Sequence, residues 1–326
     1  MNPADTPLLL TAWRRPHSLR QVINAIRQVA PKRLYVACDG PNPECHGEDG
    51  KVAASRAVID TEIDWPCQIE RLYSDVNQGC RLAVSRAITW FFEQVEEGII
   101  LEDDCIPHPD FFIYCTALLE RYRHDTRVWS VCGSNFQLGN KRGCSSYYFS
   151  IHGDSWGWAS WRRAWKHYPD AETNWASFRD NRRLADVFAI KQEEVYWERI
   201  INTLFDKNHP SSWAYQWWLC SWMNNGVHAW PNVPLVKNIG FDGLATHTLV
   251  VPGPYGDIQT CPLGIISHPK FVVPDRAADE FAYLHRRVGL MRSKYGVLYP
   301  LVARLKLTRM YPHFRRLLAG DGMFSK

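Results

Sequence analysis

No stretch of this sequence reaches the roughly 18 consecutive apolar residues that a membrane-crossing helix needs. Its beginning, Met1 to Pro7, has no basic segment followed by an apolar one. The expectation is a chain that neither spans a bilayer nor leaves the cell on a cleaved leader. A CxxC pair is missing too. The 10 cysteines are scattered from Cys38 to Cys261, a pattern that suits thiols in a reducing, cytoplasmic compartment better than a disulfide framework or structural zinc. Internal repeats and low-complexity linkers are absent. With 46% hydrophobic and 22% charged residues over 326 positions, disorder, collagen and coiled coil are excluded.

Two further absences are local. Residues 281–320 contain no acid but nine Lys/Arg, from Arg286 to Arg316, so the net charge of +4 combines a mildly acidic body with a basic tail. Tryptophan is absent after Trp230, although the chain holds 15, eleven of them between Trp156 and Trp230. The second half therefore concentrates large flat rings, and for any single tryptophan core packing is the ordinary role.

What is present has a simple rhythm up to about Asn135. The runs PLLLTAW, RLYVACDG, CQIERLYS, GIILEDD and VWSVCGSN read as strands. Ser18–Val29, CRLAVSRAITWFFEQV and DFFIYCTALLERYRHD read as helices, and a polar stretch rich in Gly and Pro follows the second strand. Such alternation predicts an α/β fold, a mostly parallel sheet covered on both faces. Beyond Asn135 the rhythm gives way to aromatic and Gly-rich segments, a helix over Leu184–Asp206, and a helical pattern from Asp275 onward.

The most informative motif is GIILEDDCIPHPDFF. Three apolar residues run directly into Glu102, Asp103 and Asp104, at the carboxyl end of a strand, where open parallel sheets bind ligands. Adjacent carboxylates repel and lose hydration unless a divalent cation or donors compensate. Oxygen ligands of this kind suit Mg²⁺ or Mn²⁺, which can also hold a diphosphate. The alternative is a solvated acidic turn capping the helix near Pro109.

Together with LLLTAWRRP, VACDG and SDVNQGCRLAVSRA before it and NIGFDGLATHT after it, the triplet resembles the GT-A group of nucleotide-sugar-dependent glycosyltransferases, related to N-acetylglucosaminyltransferase I and to bacterial polysaccharide glycosyltransferases. The resemblance covers roughly residues 7–250. It implies a Rossmann-like GT-A domain over 1–274, with a nucleotide-binding half at 1–135 and a Trp-rich sugar and acceptor half at 136–274, followed by a basic helical extension at 275–326. In LLLTAWRRP, Thr11, Arg14 and Arg15 are implied to meet ribose and phosphates; two solvated surface arginines would look the same. Asp39 of VACDG resembles the acid that accepts from the uridine base, although Asp39-Gly40-Pro41 is also an ordinary turn. Asn77 and Arg81 precede a helix whose N-terminus could face the diphosphate, or simply cap it. By resemblance Asp104 is the direct metal ligand, Glu102 and Asp103 contact the donor or order the site, and His247 supplies a later metal contact.

The implied reaction is metal-dependent transfer of a sugar from a UDP-sugar to a glycan acceptor, inverting, in surface polysaccharide (O-antigen or capsule) synthesis. It needs Mn²⁺ or Mg²⁺ on the leaving group and a carboxylate base. In SSWAYQWW the family places that acid where this chain has Ala214. An alanine accepts no proton, so either the base lies elsewhere, with Asp154 of HGDSWGW the candidate, or this copy is inactivated at Ala214. Trp156, Trp158, Trp213 and Tyr215 are the candidates for sugar stacking. The basic tail, with apolar Leu298, Leu301 and Leu305 among its cations, fits an anionic membrane surface as well as a plain solvated face. The first of these places the protein peripherally on the inner face of the cytoplasmic membrane with a lipid-linked acceptor. Nucleic-acid binding is not expected, since no known module accompanies the basic residues. Two rivals are a sugar nucleotidyltransferase, which usually opens with a Gly-rich phosphate loop and lysine that LLLTAWRRP lacks, and a non-catalytic glycan-binding protein.

Overall fold

The computed structural model describes residues 2–205, 212–241 and 258–288. Their strands are β1 (Leu8–Ala12), β2 (Arg33–Cys38), β3 (Gln68–Tyr73), β4 (Glu97–Glu102), β5 (Cys105–Pro107), β6 (Val128–Cys132), β7 (Tyr147–Ser150), β8 (Trp158–Trp161), β9 (Val227–Pro231) and β10 (Val236–Asn238). The helices are α1 (Pro16–Arg27), α2 (Glu48–Glu62), α3 (Cys80–Gln94), α4 (Pro109–Tyr122), α5 (Arg162–Trp165), α6 (Asp170–Asp180), α7 (Leu184–Val187), α8 (Lys191–Phe205), α9 (Trp213–Met223) and α10 (Arg276–Ala282). A π-helical turn, Tyr283–Val288, follows α10.

Eight strands form one sheet in the order β3-β2-β1-β4-β8-β6-β9-β7, and β10 pairs with β5 beside it. β1, β2, β3 and β4 are mutually parallel, while β8 lies antiparallel between β4 and β6. This is the mixed α/β, Rossmann-like arrangement that the alternating rhythm predicts. Strands from both halves of the chain share the sheet, and β8, from the Trp-rich half, inserts next to the central β4.

Both faces of the sheet are buried, which explains why its central strands are continuously apolar rather than alternating. Leu8, Leu10, Leu34, Val36, Ile99 and Leu101 face α1, α2 and α4. Their neighbours Leu9, Tyr35, Ala37 and Ile100 face α3 and the helices of the second half. In α1 the apolar positions Leu19, Val22, Ile23 and Ile26 recur at helical spacing and are fully buried. A large apolar side chain buried this way contributes about 1.5–3 kcal/mol.

Three departures from the sequence expectation have local causes. The polar stretch after β2 contains a helix, α2, whose buried Val52, Ser55, Val58 and Ile59 form a narrow stripe diluted by polar residues. The helix expected over Leu184–Asp206 is two, α7 and α8, parted at Phe188–Ile190. SSWAYQWWLCSWMNNG, unassigned from sequence, holds α9, which is buried nearly all round and so shows no helical polarity. The ten cysteines are free. Among the described residues no helix is long and apolar enough to cross a membrane. Most of the basic extension lies outside the described residues.

Candidate functional site

β1, β2 and β4 all deliver their carboxyl ends to one edge, and the acidic triplet starts with the last residue of β4. Register pairs Thr11 with Glu102. Asp103 and Asp104 are buried at 3% and 7% exposure, and Glu102 is partly exposed. Arg15, on the short turn between β1 and α1, spans the two aspartates: Nη2 donates to Asp103 Oδ1 at 2.6 Å and Nη1 to Asp104 Oδ2 at 2.8 Å. The second oxygen of Asp103 accepts from the Trp13 backbone N–H at 3.0 Å. Asp104 Oδ1 accepts from Asn238 Nδ2 at 3.3 Å, on β10.

The electrostatics follow from crowding. Burial first, then the Asp104 charge, push the Glu102 carboxyl up to about 8 despite Arg15. Burial raises Asp103 to about 6, with Arg15 opposing and Asp104 adding to the shift. Burial works against the Arg15 charge, but Asp103, Asp104 and Glu102 together hold the guanidinium firmly protonated. Cys80, at the start of α3, is pushed up to about 12 by burial and then by the Glu102 charge, so its thiol is neutral.

The remaining donor-side residues take up supporting positions. Asp39 ends β2 and accepts from the N–H groups of Gly40 at 2.9 Å and Gln78 at 3.1 Å and from Asn77 Nδ2 at 2.9 Å. Asp39 and Asn77 therefore lock the β3–α3 loop to the end of β2, and burial still raises Asp39 above the usual carboxylate value. Thr11 Oγ1 donates to the Leu101 carbonyl at 3.4 Å. Arg14 turns away from the triplet to buried Glu48 on α2 and lies 4.0 Å over the Trp13 ring. Arg81 is likewise engaged elsewhere, bonded to Glu172 and to Gln216 Oε1, both at 2.9 Å, so it ties α3 to α6 and α9.

Trp13, Glu48, Cys80, Asn238 and Gly240 escaped the sequence reading. The signal for Gly240 was available in NIGFDG: a Cβ there would stand 2.1 Å from Asp104 Oδ2 and 2.8 Å from Arg15 Nη1, so only glycine lets this loop close over the pair. His247, the later metal contact suggested by the same motif, lies outside the described residues.

In the Trp-rich half, two of the stacking candidates are corrected. Trp158 is fully buried and stacks on Trp213, itself 2% exposed, with ring centres 5.5 Å apart. Neither presents a face to a sugar, because both fill the layer between the sheet and α9. Tyr215 is partly exposed and packs on Trp197 and Trp218. Trp156 is also partly exposed, with edge contacts to Phe136 and Phe241, and its N–H donates to Asp154 at 3.3 Å. Asp154 is 1% exposed and accepts from Ser134 Oγ. Ala214 is buried at the start of α9, and its N–H donates to Ser212 Oγ at 3.3 Å. A separate cavity of about 40 Å³, which Ala214 does not line, is walled by Phe136, Tyr148, Trp197, Trp218, Trp230 and Tyr283. At about 10–15 Å³ per water it has room for a few waters and not for a sugar ring.

Among the described residues no three His, Cys, Asp or Glu side chains are grouped to hold a metal by themselves. The donor set still fits a hard cation, since Mg²⁺-type sites commonly use one or two carboxylates and leave the other positions to phosphate and water. Buried, mutually repelling carboxylates with only one arginine against them supply that need.

No protein-family model matches the chain, and no curated protein matches it. Solved structures similar to it include a cytidylyltransferase from Leptospira borgpetersenii, at 9% identity and TM-score 0.32 over 50% of this chain and 63% of that one. A UDP-glucose pyrophosphorylase complexed with UDP-glucose has 8% identity and TM-score 0.35 over 70% and 91% of the two chains. The 4-diphosphocytidyl-2C-methyl-D-erythritol synthase from Anaerococcus prevotii has 10% identity and TM-score 0.31 over 64% and 87%. The chain thus spans 63% of the length of the Leptospira protein.

Proposed function

We propose that this chain is a nucleotide-sugar-dependent glycosyltransferase whose donor site is the carboxylate edge formed by β1, β2 and β4. The observation that supports it most is the placement of Glu102, Asp103, Asp104 and Arg15 together at the carboxyl ends of parallel strands, where a diphosphate and its counter-cation are bound in open α/β sheets. Asp104, aided by Asp103 or Glu102, would hold Mg²⁺ or Mn²⁺, which when bound offsets the charge developing on the departing diphosphate. Arg15 offers phosphate a two-pronged fork. The Asp39–Asn77 lock fixes the loop before α3, which is proposed to face the nucleotide. His247 is proposed as a further metal contact. Trp156 and Tyr215, the partly exposed candidates, are proposed to stack on sugars.

Inverting transfer to a glycan acceptor requires a base, and the Ala214 methyl cannot be one. Asp154, buried at 1% exposure and bonded to Ser134 Oγ, is proposed as the alternative base. The Ala214→Asp variant should raise the transfer rate by about 10²–10⁴-fold, the usual worth of a positioned base. No gain would remove Ala214 from the mechanism. The basic extension is proposed to hold the enzyme at an anionic membrane carrying a lipid-linked acceptor; flotation of the full chain with anionic vesicles at low salt, and its loss at high salt, tests this.

The second reading is a sugar nucleotidyltransferase, the class of the similar solved structures. It shares a nucleotide site but joins a nucleoside triphosphate to a sugar phosphate. α1 begins at Pro16, directly after Arg15, and the β1–α1 turn contains no glycine to cradle a triphosphate. Thermal shift with UDP, UDP-sugars and nucleoside triphosphates, each with and without Mn²⁺, separates the two. A Mn²⁺-dependent rise with UDP-sugars supports transfer to a glycan, whereas a rise confined to triphosphates overturns it.

A further inference from the structure

On the nucleotide-sugar reading above, Asp103 and Asp104 must serve a divalent cation, yet a cation from the chain itself already bridges them. We propose that Arg15 is a tethered stand-in for the metal: it offsets part of the charge of the aspartate pair in the free protein and leaves Asp104 when a diphosphate arrives, so metal and nucleotide load as a coupled pair.

The geometry makes Arg15 and a metal mutually exclusive at Asp104. Nη1 sits 2.8 Å from Oδ2, on the oxygen that faces away from Asn238, while Oδ1 is taken by Asn238 Nδ2 at 3.3 Å and the Cys105 thiol at 3.4 Å. Gly240 closes the remaining side, where even a methyl group would come within 2.1 Å of Oδ2. A Mg²⁺–oxygen bond of about 2.1 Å at Oδ2 would need the space that Nη1 fills. It would also set two positive charges against each other in a largely buried site.

A diphosphate resolves the conflict. Its oxygens match the guanidinium fork as well as two carboxylates do. The Arg15 side chain retains 16% exposure, so it lies at the rim of the site, not sealed beneath it. Arg15 also stands on the turn leading into α1, and that helix is packed through Leu19, Val22, Ile23 and Ile26, which fixes the backbone while the side chain changes partner. Moving the guanidinium to phosphate uncovers the carboxylates at the moment a second source of negative charge enters. The cation then binds where it is needed and is weakly held otherwise.

The test is a Mn²⁺ titration of the full chain followed by the EPR signal of free Mn²⁺, with and without UDP, for the native protein and Arg15→Gln. The native protein should bind Mn²⁺ weakly alone, and UDP should tighten it roughly five- to 150-fold, with Mn²⁺ tightening UDP by the same factor. Arg15→Gln should bind Mn²⁺ several-fold more tightly without nucleotide, and the coupling should shrink toward one. If Arg15→Gln leaves nucleotide-free Mn²⁺ affinity unchanged or weaker while native coupling is intact, Arg15 is a fixed strut and the inference is wrong. If the native protein takes up no Mn²⁺ with or without UDP, the nucleotide-sugar reading itself falls. Should Arg15→Gln not fold, Arg15→Lys keeps the charge but loses the fork. Intermediate tightening supports the exchange, and native behaviour overturns it.

Discussion

The two halves of the sheet spend their unusual residues in opposite ways. At the carboxylate edge, like charges are gathered where they repel, one arginine opposes three acids, and Glu102 is held up to about 8. In the aromatic half, Trp158, Trp197 and Trp217 are buried among stacked and edge-on rings on one face of the sheet, while Trp161 is buried on the other face, its indole N–H donating to the Leu119 carbonyl at 3.2 Å. The first arrangement costs stability and makes sense as a place for ligand. The second supplies stability and holds the first in register, because β8 pairs directly with β4, the strand that ends in Glu102. Tryptophan abundance is therefore mainly a property of the core here.

The comparison is sharpest at Trp158. Trp158→Ala removes a fully buried ring that touches Trp165, Trp213 and Trp217, and should cost about 3–5 kcal/mol by urea or thermal unfolding. A loss below about 1 kcal/mol together with weaker sugar binding would restore the stacking role that burial removes. Its indole N–H and that of Trp217 have no hydrogen-bond partner among the described residues. Both belong to the same core cluster as Ala214, so this region tolerates an acceptor better than a purely aliphatic core would.

His228 gives the next effect. It is fully buried, with Nδ1 2.7 Å from Ser130 Oγ and Nε2 3.0 Å from Ser221 Oγ, joining β9, β6 and α9. Burial first, and then His152, lower it from 6.5 to about 3. Between those values the unfolded chain binds a proton that the folded chain refuses. The stabilisation is thus complete above about pH 6.5 and is lost as pH falls toward 3. Denaturant unfolding from pH 7 to pH 4 should show a loss of a few kcal/mol that His228→Gln lacks. A parallel pH dependence in both proteins would place the acid sensitivity elsewhere.

Glu102 has the opposite sign. Its folded value is raised from 4.5 to about 8, so the folded state binds the extra proton and stability falls as pH rises through that window. Glu102→Gln should be more stable than the native protein by about 1–3 kcal/mol at pH 8, with the difference vanishing below about pH 4.5. It should also lose Mn²⁺-dependent UDP binding. A less stable variant would mean that the carboxylate edge is structural, and the contrast between the halves would collapse.

How much of this was legible from sequence depends on the kind of interaction. β1, β2, β4 and β6 announce themselves because continuous apolar runs ending near Gly, Pro or acids have few other uses in a two-faced sheet, whereas β5 follows the triplet too briefly to show a pattern. The triplet was legible for the same reason, since acids directly after Ile-Ile-Leu must sit at a strand end. Partners were not. That Arg15 and not Arg14 meets the aspartates depends on the direction of one tight turn, and Asn238 and Gly240 reach Asp104 across more than 130 positions. α9 was hidden because uniform burial erases periodicity. Trp156 and Trp158, only two residues apart, differ in exposure because the intervening Gly157, at φ +66°, turns the chain into β8.

That difference yields the smallest effect on stability and the cleanest separation of the halves. Trp156 is partly exposed, touches Phe136 and Phe241 edge-on, and is joined through its backbone N–H to Asp154. Trp156→Ala should cost only about 1 kcal/mol, since the ring already meets solvent and its backbone bond survives the substitution. On the nucleotide-sugar reading it should leave UDP affinity near native while weakening the UDP-sugar or acceptor, because stacking acts on the sugar and the carboxylate edge acts on the diphosphate. Calorimetry with UDP and with the UDP-sugar picked out by thermal shift tests both, alongside acceptor titration. Equal losses for UDP and UDP-sugar would make Trp156 part of the nucleotide site. No loss for any of the three ligands would leave Trp156, like Trp158, as packing.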